Sequence, residues 1–294
     1  MDTPHDLDEN SLAAAWAYLR AHSDAGLPLR PNAYRMAFAD PEFMARRETR
    51  GIRIQLELLK PDVDQQEQGI NHTVVVFGSA RFSSPETAQQ LLDAARKSGD
   101  ASALKEAERH MRNAAYYDLA HRFGHIVATH SATLPESERL YICTGGGPGI
   151  MEAANRGAHD AGALTVGLNI ALPHEQQANP YVTPSLSFKF HYFAARKMHF
   201  MMRAKAMVAF PGGFGTLDEL FEVITLVQTK KSAPVPIILF GKDYWNRLIN
   251  LDVMVEEGAV SESDLNLFKF TDDPQEAWDT IQAFYKLQAV VPGN

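Results

Sequence analysis

A few side chains set beside two glycine turns carry whatever chemistry this chain can do. In the first turn, Pro211-Gly212-Gly213-Phe214-Gly215-Thr216 follows the apolar run Val208-Ala209-Phe210, and a helical pattern over 217–228 begins at once. Apolar strand, glycine turn and helix start together make an anion site. Glycines let the backbone come close to a ligand, and the first amides of a helix are unpaired and partly positive. Thr216 adds a hydroxyl. Glu219, three residues on, has two readings: Thr216-x-x-Glu219 is the pattern of a capping box, and it is also a carboxylate set beside an anion site. Local sequence leaves the two level.

A second junction of the same kind is Leu140-Tyr141-Ile142-Cys143 followed by Thr144-Gly145-Gly146-Gly147-Pro148-Gly149-Ile150-Met151-Glu152. Pro148 suits a first helical turn, and Glu152 has a bland role as complement to the helix dipole. Cys143 reads as a small apolar strand residue. A third cluster comes from the 193–205 helical pattern, where Arg196, His199 and Arg203 stand at i, i+3 and i+7 on one stripe. Such a stripe is usually a solvated face; this one leads straight into the strand that carries the first turn. His121 and His125, four apart, read as structural histidines, and no metal site is expected.

The elements that must position these groups alternate. Strands are expected at 73–77, 140–143, 164–170, 187–190, 206–210, 236–240 and 267–270. Helices are expected at 84–97, 101–125, 150–161, 193–205, 217–228, 244–257 and 274–287. Strand and helix alternating over some 220 residues predict an α/β fold, a Rossmann-like doubly wound parallel sheet. Ser79 and Arg81, after the run His72-Thr73-Val74-Val75-Val76-Phe77-Gly78, then fall at a carboxyl strand end, where such sheets bind ligands. For Arg81 alone a surface-loop role is favoured. Residues 173–184 form a long polar loop, a candidate lid. Residues 1–70 carry no strand-like run and read as a helical N-terminal extension: helical stretches at 12–21 and 43–59, then an acidic, Gln-rich linker at 61–68. The sheet domain is expected over 71–294.

The chain of 294 residues is 45% hydrophobic and 22% charged, with net charge −8 and a single cysteine. That acidity argues against nucleic acid or an anionic membrane surface as the partner. One cysteine permits no intrachain disulfide and suits a reducing compartment. With no apolar run of spanning length and no signal-like segment, a soluble, cytoplasmic protein is expected.

Two anion-type junctions in one sheet suggest a ligand lying across neighbouring strand ends. Neither turn supplies the lysine of a P-loop. Gly145-x-Gly147 meets Ile150, and Gly213-x-Gly215 meets Asp218, so neither completes the dinucleotide fingerprint. A mononucleotide or sugar phosphate fits better.

The blocks Gly145-Gly146-Gly147-Pro148-Gly149-Ile150-Met151-Glu152, Arg196-Lys197 and Pro211-Gly212-Gly213-Phe214-Gly215-Thr216-Leu217-Asp218-Glu219 resemble, in order and spacing, the LOG ("Lonely Guy") family. Its members are cytokinin riboside 5′-monophosphate phosphoribohydrolases and related bacterial nucleotide nucleosidases, often mislabelled lysine decarboxylases. The resemblance runs from about residue 73 onward. The N-terminal extension and an 83–112 insertion depart from the short members, as in some longer bacterial ones. The resemblance implies cleavage of the base–ribose bond of a nucleoside 5′-monophosphate, AMP or an N6-substituted AMP, giving free base and ribose 5-phosphate. It implies no cofactor and a homo-oligomer, a dimer or larger. It maps catalysis onto Arg196 and Glu219, and substrate binding onto Ser79, Gly146, Gly147, Glu152, Lys197, Gly212, Gly213, Gly215 and Thr216. A carboxylate suits the oxocarbenium-like charge that develops on the sugar, and an arginine can hold ribose or phosphate bidentately. Two other readings stand beside this one. The same fold could bind and sense a nucleotide without turnover. Lys197 or Lys205 could instead carry pyridoxal phosphate, although no partner for its pyridinium nitrogen is visible.

Overall fold

The computed structural model describes Ala17, Ala21, Asp24, Ala25 and residues 36–172 and 177–290. The expected helix at 12–21, Ala17 and Ala21 apart, and residues 173–176 of the polar loop lie outside the described residues. The chain forms two compact units, Met1–Glu57 and Leu58–Asn294, where the sequence suggests a boundary at 70. In the first unit the Asp40 carboxylate caps a one-turn helix, Pro41–Met44, accepting from the amides of Glu42 and Phe43 at 3.0 and 3.1 Å.

Helix α1 (Arg50–Glu67) corrects the expected linker at 61–68. Pro61 lies inside it, which forfeits one backbone hydrogen bond. Three features offset that loss. Leu58, Pro61 and Gln65 fall at i, i+3 and i+7, with Leu58 packed on the core and the other two buried. Gln65 Nε2 donates back to the Pro61 carbonyl at 2.9 Å, and Lys60 pairs with Asp64 one turn on.

The second unit is built on seven parallel strands: β1 (His72–Phe77), β2 (Leu140–Thr144), β3 (Thr165–Ile170), β4 (Ser187–Phe190), β5 (Ala204–Ala209), β6 (Ile237–Phe240) and β7 (Phe268–Thr271). Their order is β4-β3-β2-β1-β5-β6-β7. Val76 of β1 is level with Thr144 of β2 on one side and Val208 of β5 on the other. From β1 the chain winds outward to β4, then crosses back to β5 beside β1 and winds the other way. The connections that leave β1 and β5 therefore diverge, and the topological switch point opens between their carboxyl ends. Both glycine turns, which follow β2 and β5, border it.

Helices cover both faces, so the central strands β1, β5 and β6 are buried on both sides and read as nearly continuous apolar runs, while the edge strands β4 and β7 expose Lys189 and Lys269. Helices α2 (Pro85–Ser98), α3 (Ala101–Ser131), α4 (Ile150–Asp160) and α9 (Pro274–Val290) lie with one face. There Tyr117, Phe123, Ile150, Trp278 and Ile281 pack on Val74, Val76 and Val208. On the other face are α5 (Phe193–Met202), α6 (Phe214–Gln228) and α7 (Lys242–Leu248), which bring Phe200, Leu220, Val223 and Trp245 onto Val75, Met207 and Leu239. Burying each such large side chain contributes about 1.5–3 kcal/mol. A short helix, α8 (Leu251–Glu256), follows α7. The single helix expected over 244–257 is broken because Ile249 and Asn250 take extended backbone. The 83–112 insertion is α2 and the start of α3, joined by their own small core of Leu92, Ala95 and Ala107. Among the described residues, no helix is long and apolar enough to cross a membrane.

Candidate active site

Helix α6 begins at Phe214, three residues before the expected start, because Gly213 takes the extended N-cap conformation (φ −94°, ψ −155°). This excludes the capping-box reading of Thr216-x-x-Glu219. Thr216 is the third residue of the helix and Glu219 the sixth, so neither can act in a capping box, and no side chain caps this helix. The amides of Thr216 and Leu217 both return to the Gly213 carbonyl at 3.0 Å. Those of Gly213, Phe214 and Gly215 donate to no acceptor among the described residues. A Cβ added at Gly213 or Gly215 would meet open space. Three free amides on a helix N-terminus facing an opening form an anion-receptive nest. The turn is held from both sides: the Ser79 amide donates to Pro211 O at 3.0 Å, and the Tyr244 hydroxyl donates to Gly212 O at 2.7 Å. Thr216 is buried against Gly212, where any Cβ would collide with its hydroxyl.

Glu219 is 5% exposed, and its carboxylate has no hydrogen-bond or ion-pair partner among the described residues. Burial raises it from the ordinary 4.5 to about 7, with Arg196 and Lys197 opposing the rise and Glu222 and Asp218 adding to it. Arg196, from α5, reaches the same region. Its Nε donates to Leu168 O at 2.7 Å, and its guanidinium lies 5.1 Å from the Phe200 ring centre. A Cβ at Gly145 would come within 2.5 Å of Arg196 Nη2, so the absence of that Cβ makes room for the guanidinium. Burial works against the arginine's charge, and Glu219 is the main group supporting it. The two side chains perturb each other without forming a direct ion pair, and Arg196 has no protein acceptor for Nη1 or Nη2 among the described residues.

The second turn is built differently. Gly146 and Gly149 take φ of 71° and 73°, the left-handed region that favours glycine. Gly146 N–H donates to Thr144 Oγ1 at 3.0 Å, and its carbonyl accepts from the Asn179 amide at 2.8 Å. Gly146 is thus committed inside the protein through both its N–H and its carbonyl, whereas the amide of Gly147 donates to no acceptor among the described residues. Asn179 Nδ2 also donates to Gly147 O and to Asn155 Oδ1, each at 3.0 Å, while the Thr144 hydroxyl donates to Asn155 Oδ1 at 2.7 Å. Asn155 and Asn179, both buried, escaped the sequence reading. The one signal for Asn155 was a polar residue on the apolar stripe of α4; Asn179 stands in a polar loop and gave none.

The other residues singled out from the sequence fall as follows. The Ser79 carbonyl accepts from the Ile150 amide at 3.1 Å, so this residue ties the start of α4 to the Pro211 turn; its Oγ accepts from Arg81 N at 3.2 Å. Glu152 accepts from the Tyr117 hydroxyl at 2.9 Å, and burial pushes that phenol well above its ordinary range. Lys197 is engaged by Asp218 at 2.8 Å and Glu222 at 3.0 Å. The expected basic stripe on α5 does not form. His199 is buried, and Arg203, past the end of the helix, binds the carbonyls of Ile70 and Asp62 and the Asp62 carboxylate. Cys143 is buried in β2, which pushes its thiol up to about 12. His121 pairs with Asp160 at 2.8 Å, and no cluster of three metal-ligating side chains occurs among the described residues. Neither lysine suits a Schiff base beside the turns: Lys197 is ion-paired, and Lys205 sits at the amino end of β5 over the Tyr285 ring.

Fold and site together define a Rossmann-like α/β protein with an anion-receptive helix N-terminus and a buried carboxylate at its topological switch point. Within that class the relatives are LOG proteins. A family model described as "Possible lysine decarboxylase" matches residues 151–281. The probable cytokinin riboside 5′-monophosphate phosphoribohydrolase LOG4 of Oryza sativa subsp. japonica is 31% identical over 147 residues, 49% of this chain and 62% of that protein. The cytokinin riboside 5′-monophosphate phosphoribohydrolase LOG of the same species is 30% identical over 154 residues, covering 51% and 60%. LOG3 of Arabidopsis thaliana, with the same description, is 29% identical over 154 residues, covering 51% and 66%. The chain thus spans 60–66% of the length of these curated relatives. The X-ray structure of TM1055 aligns over 72% of this chain and 99% of its own, at 19% identity and a TM-score of 0.43. The resemblance to the LOG family is shown by these sequence matches.

Proposed function

We propose that this chain hydrolyses the N-glycosidic bond of a nucleoside 5′-monophosphate, AMP or an N6-substituted AMP, to free base and ribose 5-phosphate. The observation that carries the reading is the Glu219 carboxylate, 5% exposed, without a partner among the described residues, and set on the helix whose first amides have none there either. The phosphate sits on the amides of Gly213, Phe214 and Gly215, with Gly212 and Thr216 shaping the seat and Gly147 adding an amide from the second turn. Arg196 offers Nη1 and Nη2 to phosphate or ribose. Glu152 and Ser79 line the sugar side, while Gly146 acts through the turn it shapes.

As the C1′–N bond breaks, its electron pair leaves with the base and positive charge grows on the ribose. Ionised Glu219 stabilises that charge. Water then adds to C1′, and Glu219 takes its proton for delivery to the base. A carboxyl titrating near 7 is matched to such a step at neutral pH. The exposed apolar side chains Phe193, Met198, Met202 and Phe214 on α5 and α6 support a homodimer or larger assembly, which light scattering would test; a monomer would overturn it. The activity is tested by incubating the protein with a panel of nucleoside monophosphates and looking for free base. Glu219→Gln should abolish release. No base from any of them, or full activity in that variant, would sink the reading.

A further inference from the structure

Lys197 was expected at the substrate, yet its contacts point elsewhere. It follows Arg196 on α5, and its side chain is only 18% exposed. The ammonium lies 2.8 Å from Asp218 Oδ1 and 3.0 Å from Glu222 Oε2, on residues that bracket Glu219 along α6. We infer that Lys197 is a positioning residue: by clamping Asp218 and Glu222 it shields Glu219 from its two flanking carboxylates and fixes α6 against α5, so that Glu219 stays ionised opposite Arg196.

Asp218 and Glu222, one residue before and three after Glu219, disfavour its charged form; the burial of Glu219 weakens screening on its side, while Asp218 and Glu222 are 55% and 35% exposed. These two, with Arg196 and Lys197 from α5, are the charged groups among the described residues that act most on Glu219. A single ammonium bonded to both offenders removes most of their effect and adds attraction of its own. Burial works against Lys197's charge, but the bonds to Asp218 and Glu222 outweigh it, and the lysine titrates above its ordinary value. A lysine so held has little charge to spare for a phosphate, whereas Arg196 keeps its Nη atoms free of acceptors among the described residues.

This inference deepens the proposed function, but its first test does not depend on turnover. The Glu219 carboxyl is followed by NMR in protein labelled with 13C at glutamate side-chain carboxyls, with Glu219→Gln assigning the signal. In Lys197→Met the titration should move to higher pH. In Asp218→Asn/Glu222→Gln, where the lysine is unopposed, it should move to lower pH, and in the triple variant it should return toward wild type. Lys197→Arg should leave it in place. Base release should follow: Lys197→Met loses about threefold or more on the acid side of the profile, with plateau kcat and KM within about twofold of wild type. An unmoved Glu219 titration in both Lys197→Met and the double variant overturns the inference. So does a KM raised tenfold or more under an unshifted pH profile, which marks a direct substrate contact. Failure to release base from any monophosphate defeats the proposed activity alone, because the titrations still decide the role of Lys197.

Discussion

Glu219→Gln is expected to make the protein more stable, and only at neutral to alkaline pH. Burial lifts the carboxyl from 4.5 to about 7, and no hydrogen bond from the described residues compensates it. At about 1.4 kcal/mol per pH unit, holding the charge costs folding about 3 kcal/mol. The sign follows from proton counting. Between pH 4.5 and 7 the folded state holds a proton that the unfolded state has released, so stability falls as pH rises through that window. Above 7 the whole cost applies, and below 4.5 it vanishes. Gln is nearly isosteric and uncharged, so it removes the cost. The opposing pull of Arg196 is already inside that net shift, but the Gln amide buries polar groups without partners among the described residues, which takes back about 1 kcal/mol or more. The net gain at pH 8 is about 1–2 kcal/mol, or about 2–8 °C in melting temperature for a domain of this size. Thermal melts followed by circular dichroism at pH 8 and pH 5 test it: the gain should be present at 8 and largely absent at 5. A variant that melts at or below wild type at pH 8 refutes the reasoning, because the carboxylate then has a stabilising partner. So does an equal gain at both pH values.

The remaining expectations concern rate, turn and packing. The rate of base release should rise with pH and reach half its plateau near 7, since ionised Glu219 is the active form; a profile flat from pH 5.5 to 8.5 contradicts the assignment. Gly212→Ala should unfold or badly distort the first turn, because its Cβ meets the Thr216 hydroxyl. Gly213→Ala, which meets open space, should melt like wild type and yet bind nucleotide more weakly; equal melting of the two variants would show the turn to be slack. On the far side of the sheet, Gly157→Ala should cost about 2 kcal/mol or more in a denaturant titration, because its Cβ would run into the His121 carbonyl of α3.

The sheet was largely legible because its signals are local. A buried parallel strand must be apolar throughout, a helix must show its period, and glycines mark where the chain turns. That sufficed to find all seven strands and both glycine junctions. It failed where packing overrides local preference. Pro61 and its acidic neighbours read as linker, and the burial of one face of α1 makes them helix.

The site divides the same way, and the division explains itself. Residue types and spacing determined that a carboxylate, an arginine and two glycine turns belong to one sheet, and left the carboxylate level between cap and site. The cap fails on where α6 begins, which depends on Gly213 and on anchors that follow β1 and lie on α7, far away in sequence. Only the folded chain could commit Lys197 to two acids, draw Arg203 away to Asp62, and use up the Gly146 amide within the protein. Partnership of charges and amides is a matter of distances across elements, and a linear pattern carries none of them.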